Sequence, residues 1–163
     1  MEQKVHFIKP SPVGVDKYYK MYKLNGEFAF IKLGGQFFAE GSIDNTLPIF
    51  GDIVFSLLFG KEWKKIRLKK EEKLDQQMQL DKTAVLQRKH SFTIPFNRIE
   101  QIKIRYRSSF HTAWNDNGKV VVTLTTGEVY KFLVPLTIPI ESVIHMFEEE
   151  SLLIEYQDKK RAY

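Results

Sequence analysis

The sequence contains no cysteine among its 163 residues. That absence excludes disulfide bridges, thiolate metal sites and a cysteine nucleophile, and it fits a reducing compartment. The first ten residues have no apolar stretch ending in a small-residue cleavage site, so no secretory signal is predicted. The longest apolar run, residues 47–59, contains Asp52, and as a helix it would span only ~20 Å of the ~30 Å hydrocarbon core. The sequence therefore predicts no membrane-spanning helix.

Motifs of enzyme chemistry are also scarce. The four histidines, at positions 6, 90, 111 and 145, lie far apart, and none has a second ligand at metal-binding spacing. The sequence has no nucleophile elbow, no Walker loop and no dinucleotide-binding glycine motif. Gly34-Gly35 precedes a strand pattern rather than a helix, so it predicts a turn and not a phosphate cradle. We predict a non-enzymatic protein with no catalytic residues, no metal site and no cofactor.

Apolar residues are plentiful and predict one folded domain over residues 1–163. The sequence is 43% hydrophobic, with 13 Phe and 7 Tyr, which is enough for a substantial core. Residues 1–16 contain Pro10, Pro12 and Gly14 and are predicted to be irregular, with 5–8 as an optional short edge strand. Residues 18–24 and 27–33 flank Asn25-Gly26, which favours a tight hairpin turn. A third strand is predicted at 36–40, so these strands form a meander.

A second meander is predicted in the other half of the chain. Residues 91–96 are extended because Pro95 disfavours helix before it. Residues 100–107 alternate, with Ile102, Ile104 and Tyr106 on one face. Residues 119–125 and 128–135 flank the turn signal Thr126-Gly127. A closing helix begins near Pro139 and is assigned to 137–156, where residues 152–156 either prolong the helix or turn away from it. We expect the two β units to share one hydrophobic interior.

Segments 92–104 and 121–132 and the closing helix carry a family resemblance. The first contains Ile94-Pro95-Phe96 before an alternating strand, and the second is the hairpin around Thr126-Gly127. Together with an apolar, glycine-containing insert followed by lysines, this pattern resembles bacterial pleckstrin-homology or GRAM-like domains. The resemblance implies an α+β, mainly β fold: a seven-stranded, bent antiparallel barrel, a helical insert after strand 3 at 42–83, and a C-terminal capping helix.

The insert is the feature that such a β domain does not need. Its apolar run is followed by residues 61–70, which include six basic residues and one acidic residue. This ten-residue segment carries a net charge of +5, which equals the net charge of the whole chain, so the basic character is local. The candidate membrane or partner contacts are apolar: Ile53, Phe55, Leu58, Phe59 and Trp63. The candidate anion-binding residues are the six cations: Lys61, Lys64, Lys65, Arg67, Lys69 and Lys70.

Two functions from different classes follow from the insert. The first is a cytoplasmic adaptor that attaches peripherally to the anionic inner membrane face, where each Lys or Arg contributes ~1 kcal/mol and aromatic residues favour the interface. The second is a protein-interaction or self-assembly module in which the same insert forms a subunit interface, giving a homo-oligomer. Nucleic acid is disfavoured as a partner because Tyr106, beside Lys103 and Arg105, is expected to point inward and leave no stacking platform.

Overall fold

A computed structural model describes residues 5–12, 16–35, 51–107 and 116–157; for residues 51–64 it describes the backbone and not the side chains. The predicted strand at 36–40 and the first part of the insert, up to residue 50, lie outside the described residues. Eight strands and three α-helices occupy the described part of the chain. The α+β, mainly β class predicted from the sequence is confirmed.

The first three strands are β1 (Val5–Lys9), β2 (Lys17–Leu24) and β3 (Glu27–Gly35). The β2–β3 hairpin turns at Asn25-Gly26 as predicted, and Gly26 has a φ of 83°, which favours glycine. β1 differs from the expected irregular segment, because it lies inside the sheet, between β2 and β7. Its five residues bury Val5 and Phe7 in the main core. The pattern is too short, and too close to Pro10, to predict that place from the sequence.

The insert is confirmed as helical over the residues that the structure describes. Helix α1 (Gly51–Leu80) has 30 residues, which gives it a length of ~45 Å at ~1.5 Å per residue. A short helix, α2 (Lys82–Leu86), follows directly. The Asp81 side chain caps α2 by accepting a hydrogen bond of 2.9 Å from the Ala84 backbone N–H. Asp81 therefore marks the boundary between α1 and α2.

The second half contains β4 (Phe92–Pro95), a 3-10 turn (Phe96–Arg98), β5 (Ile99–Arg105), β6 (Asp116–Leu124) and β7 (Val129–Pro135). β5, β6 and β7 pair in succession, which confirms that part of the second predicted meander, whereas β4 pairs with β3 at the other edge of the sheet and not with β5. The register between β6 and β7 is irregular from Asp116 to Lys119. Gly118 lies in this irregular stretch with a φ of 123°, and a Cβ there would be 2.3 Å from the Arg105 carbonyl oxygen. This position therefore requires glycine for both backbone conformation and space.

The closing helix is shorter than predicted. Helix α3 (Ile140–Glu148) ends well before residue 156, and the chain then forms β8 (Ile154–Gln157). β8 runs parallel to β5, with Ile154 opposite Ile102 and Tyr156 opposite Ile104. Ile154 and Tyr156 alternate and pack on the main core, which is the period of a strand and not of a helix.

The eight strands form one sheet in the order β4-β3-β2-β1-β7-β6-β5-β8. In a flat sheet β4 and β7 would be ~19 Å apart, because neighbouring strands lie ~4.8 Å apart. The ring centroids of Phe92 on β4 and Tyr130 on β7 are nevertheless only 5.2 Å apart. The sheet is therefore strongly curled, and Phe92 closes onto Tyr130 across its inner face.

The main core lies on the inner face and takes residues from both halves, as expected. Phe7, Phe30 and Phe132 come from three strands, and their ring centroids lie 4.8–6.0 Å apart. Helix α3 closes one end of this face: Phe147 packs edge-on against Phe28 at 5.2 Å. At the same end Lys23 bridges to Glu149 and Glu150, at 2.6 and 2.5 Å.

Candidate functional site

Helix α1 carries the residues that the sequence singled out. Lys65, Arg67, Lys69 and Lys70 have described side chains. The other seven candidates lie on the same helix, but their side chains lie outside the described residues: Ile53, Phe55, Leu58, Phe59, Lys61, Trp63 and Lys64. The site is therefore built from the C-terminal half of α1, which packs on the outer face of the sheet.

A small apolar cluster holds α1 against this outer face. Leu74 is 1% exposed and packs with Tyr22, Ala29 and Ile31 of β2 and β3. Val85 of α2 completes the cluster. Positions 71 and 78 lie three and four residues from Leu74, and position 75 lies four residues from 71 and three from 78, so all three lie on or beside its face of α1. This face of α1 also makes ion pairs and a hydrogen bond with the sheet.

Lys20 on β2 is the central polar residue of this interface. It is 1% exposed, although it is a lysine. Its Nζ lies 2.8 Å from Oδ1 of Asp75 and 3.8 Å from Oε2 of Glu71, both on α1. The Tyr22 hydroxyl donates a second hydrogen bond of 2.7 Å to Asp75. A buried charge is tolerated only when it is paired in this way.

His6 on β1 extends the arrangement. Its Nε2 lies 3.3 Å from Oε2 of Glu71, and its ring stacks on Tyr18 with centroids 5.4 Å apart. Burial disfavours the Glu71 carboxylate, but the contact with His6 and the charges of Lys20 and Arg67 outweigh it, so the pKa of Glu71 is lowered. We call His6, Lys20, Glu71 and Asp75 the buried ion network.

Arg67 lies on the inner side of α1. Its Nε is 3.6 Å from Oε1 of Glu71, and the side chain is only 15% exposed. The sequence placed Arg67 with the anion-binding cations, whereas the structure directs it to the buried ion network. An arginine spaced i, i+4 from a glutamate was the available signal for this pairing.

The lysines of α1 lie on the opposite side of the helix. Lys65, Lys69, Lys70 and Lys73 are all exposed, and only one acidic residue, Glu72, is exposed among them. Ile66 and Leu68 are exposed in the same stretch, at 42% and 51%. We call the four lysines the basic outer face of α1. The acids Glu71 and Asp75 pair inward with the sheet, so the charge that faces solvent is predominantly positive.

The buried ion network was missed by the sequence reasoning. No role was predicted for Lys20, and His6 lay in the segment predicted to be irregular. The only local signal was that Lys20 alternates with Tyr19 and Met21, which identifies its face but not what covers it. Among the described residues, no cluster of three metal-ligating side chains is present. Within the same residues, no helix has both the length and the apolar character needed to cross a membrane.

Comparison with models of known protein families gave no match, and comparison with curated proteins gave none either.

Proposed function

We propose that this protein is a non-enzymatic adaptor that associates peripherally with an anionic membrane surface through α1. The observation that carries the proposal is the sorting of charge on this helix. Glu71 and Asp75 are paired with Lys20 and His6 on the sheet, while the basic outer face of α1 is exposed. The helix therefore directs Glu71 and Asp75 toward the sheet, and its exposed charge is mainly positive.

The available electrostatic energy fits peripheral attachment. Each lysine near an anionic leaflet contributes ~1 kcal/mol, so the four lysines supply at most ~4 kcal/mol. Salt screens this attraction over ~8 Å at physiological ionic strength. Charge alone gives weak binding, and apolar contact must add to it. Ile66 and Leu68 are exposed beside the lysines, and the apolar residues predicted to make contact, Ile53, Phe55, Leu58, Phe59 and Trp63, precede them on the same helix.

The curled sheet with its helix at one end supports a finer proposal about the fold. We infer that the architecture is that of a bent, pleckstrin-homology-like barrel. In this arrangement α1 is an addition on the outer surface, and a cytoplasmic protein would use it to dock on the inner membrane face. The packing of α3 against Phe28 supports this inference, as does the contact of Phe92 with Tyr130.

Vesicle co-sedimentation tests the function. The protein should sediment with anionic phosphatidylglycerol vesicles and not with neutral vesicles, and added salt should reduce binding. The variant Lys65→Glu/Lys69→Glu/Lys70→Glu should no longer sediment with the anionic vesicles. The matched control Lys82→Glu/Arg98→Glu/Lys131→Glu changes the net charge equally at exposed positions away from this face, and should retain most binding.

Two results would overturn the proposal. Equal loss in both triple variants would mean that diffuse charge, not α1, drives binding. No vesicle binding, together with a dimer whose dissociation follows the same α1 substitutions, would favour the self-assembly module instead. Sedimentation velocity over a range of protein concentrations measures that second outcome directly.

A further inference from the structure

A second concentration of positive charge lies on the inner face of the sheet, at the end opposite α3. Side chains alternate between the two faces of a strand. Phe7, Tyr19 and Phe30 belong to the main core on the inner face. Lys9, Lys17 and Lys32 each lie two residues from one of them, on β1, β2 and β3. Three neighbouring strands therefore each place one lysine on the inner face.

These three lysines lie within two residues of one another along the sheet. Lys9 is directly opposite Lys17 in the β1–β2 register, and Lys32 is opposite Tyr19 in the β2–β3 register. Helix α3 packs near Lys23, and six residues of extended strand separate Lys23 from Lys17, a distance of ~20 Å. The lysines thus line the end of the inner face that α3 does not cover. We call them the basic inner end.

Lys9 is held in place by aromatic rings. Its Nζ lies 4.9 Å from the centre of Phe92 and 4.8 Å from the centre of Tyr130. These are the two rings that meet across the curled sheet. The ammonium group is fixed by cation–π contacts and not by a carboxylate. Burial and then the charge of Lys17 lower the pKa of Lys9, while Glu128 acts in the opposite direction.

Two further side chains, those of Lys89 and His90, border the lysines. The backbone carbonyl of His90 accepts a hydrogen bond of 3.1 Å from the Tyr19 hydroxyl, which fixes this residue next to β2. Desolvation and then the positive charges of Lys17, Lys32 and Lys89 lower the pKa of His90. Lys17, Lys32 and Lys89 therefore all act on the His90 imidazole. Positive charge converges here from four separate segments of the chain.

Two nearby carboxylates are hydrogen-bonded to other groups. Asp16 is buried and accepts a hydrogen bond of 2.9 Å from the Ser11 backbone N–H. Glu128 hydrogen-bonds the Tyr130 hydroxyl, and burial followed by that bond raises the pKa of Tyr130 to about 12. In the described part of the chain, no ion pair joins a carboxylate to the cations at this end: Lys9, Lys17, Lys32, Lys89 and His90.

Like charges directly opposite each other on two strands destabilise a sheet. An anion between them would remove that cost and gain charge-assisted hydrogen bonds. A dianion is attracted more strongly than a carboxylate, because the Coulomb energy scales with its charge. Lysine ammonium groups bind phosphate as point charges with three donors each. The chemistry of this end therefore favours a compact phosphate dianion.

We propose that the basic inner end binds a phosphate monoester through Lys9, Lys17 and Lys32, with Lys89 and His90 beside them. The site uses no residue of the basic outer face of α1, so it does not rest on the proposed function. The phosphate could be a soluble ester or the headgroup of a lipid, and the same chemistry recognises both.

Nuclear magnetic resonance titration tests the site with soluble probes. Methyl phosphate, a monoester, should shift the backbone amide signals of residues 9, 17, 32 and 90 in a saturable way. Dimethyl phosphate, a diester with a single charge, should bind at least about tenfold more weakly, since one lost charge-assisted hydrogen bond has that effect. The variant Lys17→Gln/Lys32→Gln should weaken methyl phosphate binding by about tenfold or more.

Controls separate binding from folding. Lys65→Gln/Lys69→Gln removes the same charge from α1 and should leave methyl phosphate binding unchanged. Lys9→Met keeps an apolar chain over the rings and removes only the ammonium group, so it should fold as the wild type and bind the probe less tightly. The unfolding midpoint in urea confirms that each variant is folded. Saturable binding of methyl phosphate to wild type with equal affinity in Lys17→Gln/Lys32→Gln would overturn the proposal.

Binding to lipid vesicles distinguishes a lipid headgroup from a soluble ester as the source of the phosphate. Vesicles of phosphatidic acid carry a monoester headgroup, and vesicles of phosphatidylglycerol at the same total charge carry a diester. Preference for phosphatidic acid that is lost in Lys17→Gln/Lys32→Gln would assign a lipid headgroup. Binding of methyl phosphate without that preference would assign a soluble ester. Failure of wild type to bind either monoester would overturn the site, whether or not α1 binds phosphatidylglycerol.

Discussion

The Nζ atom of Lys20 lies 2.8 Å from Oδ1 of Asp75 at the interface between β2 and α1, and Lys20 is 1% exposed. This pair connects the outer face of the sheet to the helix that carries all of the candidate contacts. Truncation of one partner should be more harmful than removal of both, because a buried charge without a partner is strongly destabilising.

The first prediction concerns this pair. Asp75→Ala should lower the free energy of unfolding by about 3 kcal/mol, because Lys20 loses its nearest counter-ion. Adding Lys20→Met should recover part of that loss, since the unpaired ammonium group is removed while the apolar stem stays. Urea unfolding of wild type, both single variants and the double variant gives the complete cycle. A double variant less stable than Asp75→Ala would contradict the argument.

The second prediction concerns acid stability. The pKa of Glu71 is lowered in the folded protein, so its contribution to stability is fully present above the ordinary value of 4.5. It is lost as the pH falls below 4.5 and through the lower folded pKa. Glu71→Gln should therefore be less stable than wild type at neutral pH, and this difference should shrink as the pH falls below 4.5. Glu72→Gln removes an exposed acid of the same helix and is the matched control.

The third prediction uses two leucines of the same helix. Leu74→Ala should cost about 2–4 kcal/mol, since Leu74 is 1% exposed and a cavity remains after truncation. It should also increase amide hydrogen exchange along α1. Leu80→Ala should change stability by less than about 0.5 kcal/mol, because Leu80 is 86% exposed. Similar effects for the two variants would mean that Leu74 does not anchor the helix.

The fourth prediction compares two glycines with positive φ, of which only Gly118 also lacks space for a Cβ atom. Gly26→Ala should cost about 1–2 kcal/mol, because φ is positive but the position is open. Gly118→Ala should cost more, since its Cβ would also lie 2.3 Å from a backbone oxygen of Arg105. Thermal unfolding by circular dichroism ranks the two variants. An equal or smaller loss for Gly118→Ala would show that β5 and β6 separate easily at this point.

Local signals in the sequence predicted much of the fold. The alternation of Ile102 and Ile104 and the turn at Asn25-Gly26 depend only on neighbouring residues, and both occur as expected. The place of β1 could not be predicted, because a five-residue pattern does not state which strands it joins. The C-terminal end of α3 could not be predicted either, because Leu152, Ile154 and Tyr156 are apolar at spacings that fit a helix nearly as well as a strand.

The sites were harder to predict than the strands. A lysine such as Lys20 ordinarily faces solvent, and it is buried here because the acids of α1 lie over it. That outcome depends on where a long helix docks, which no local pattern specifies. The basic inner end has the same origin: Lys9, Lys17 and Lys32 share a location only through the register of three strands. The outward lysines of α1, by contrast, follow directly from the sequence of residues 61–73.

The position of β1 has a consequence for how the chain acquires its structure. β1 pairs with β2 through five residue pairs and with β7 at Ile8 and Leu133. The sheet becomes continuous only when two residues near opposite ends of the chain meet. Such a contact has a high loop-closure entropy and slows folding. During synthesis on the ribosome, β1, β2 and β3 can pair with one another first, and one edge of β1 stays unpaired until β7 is made.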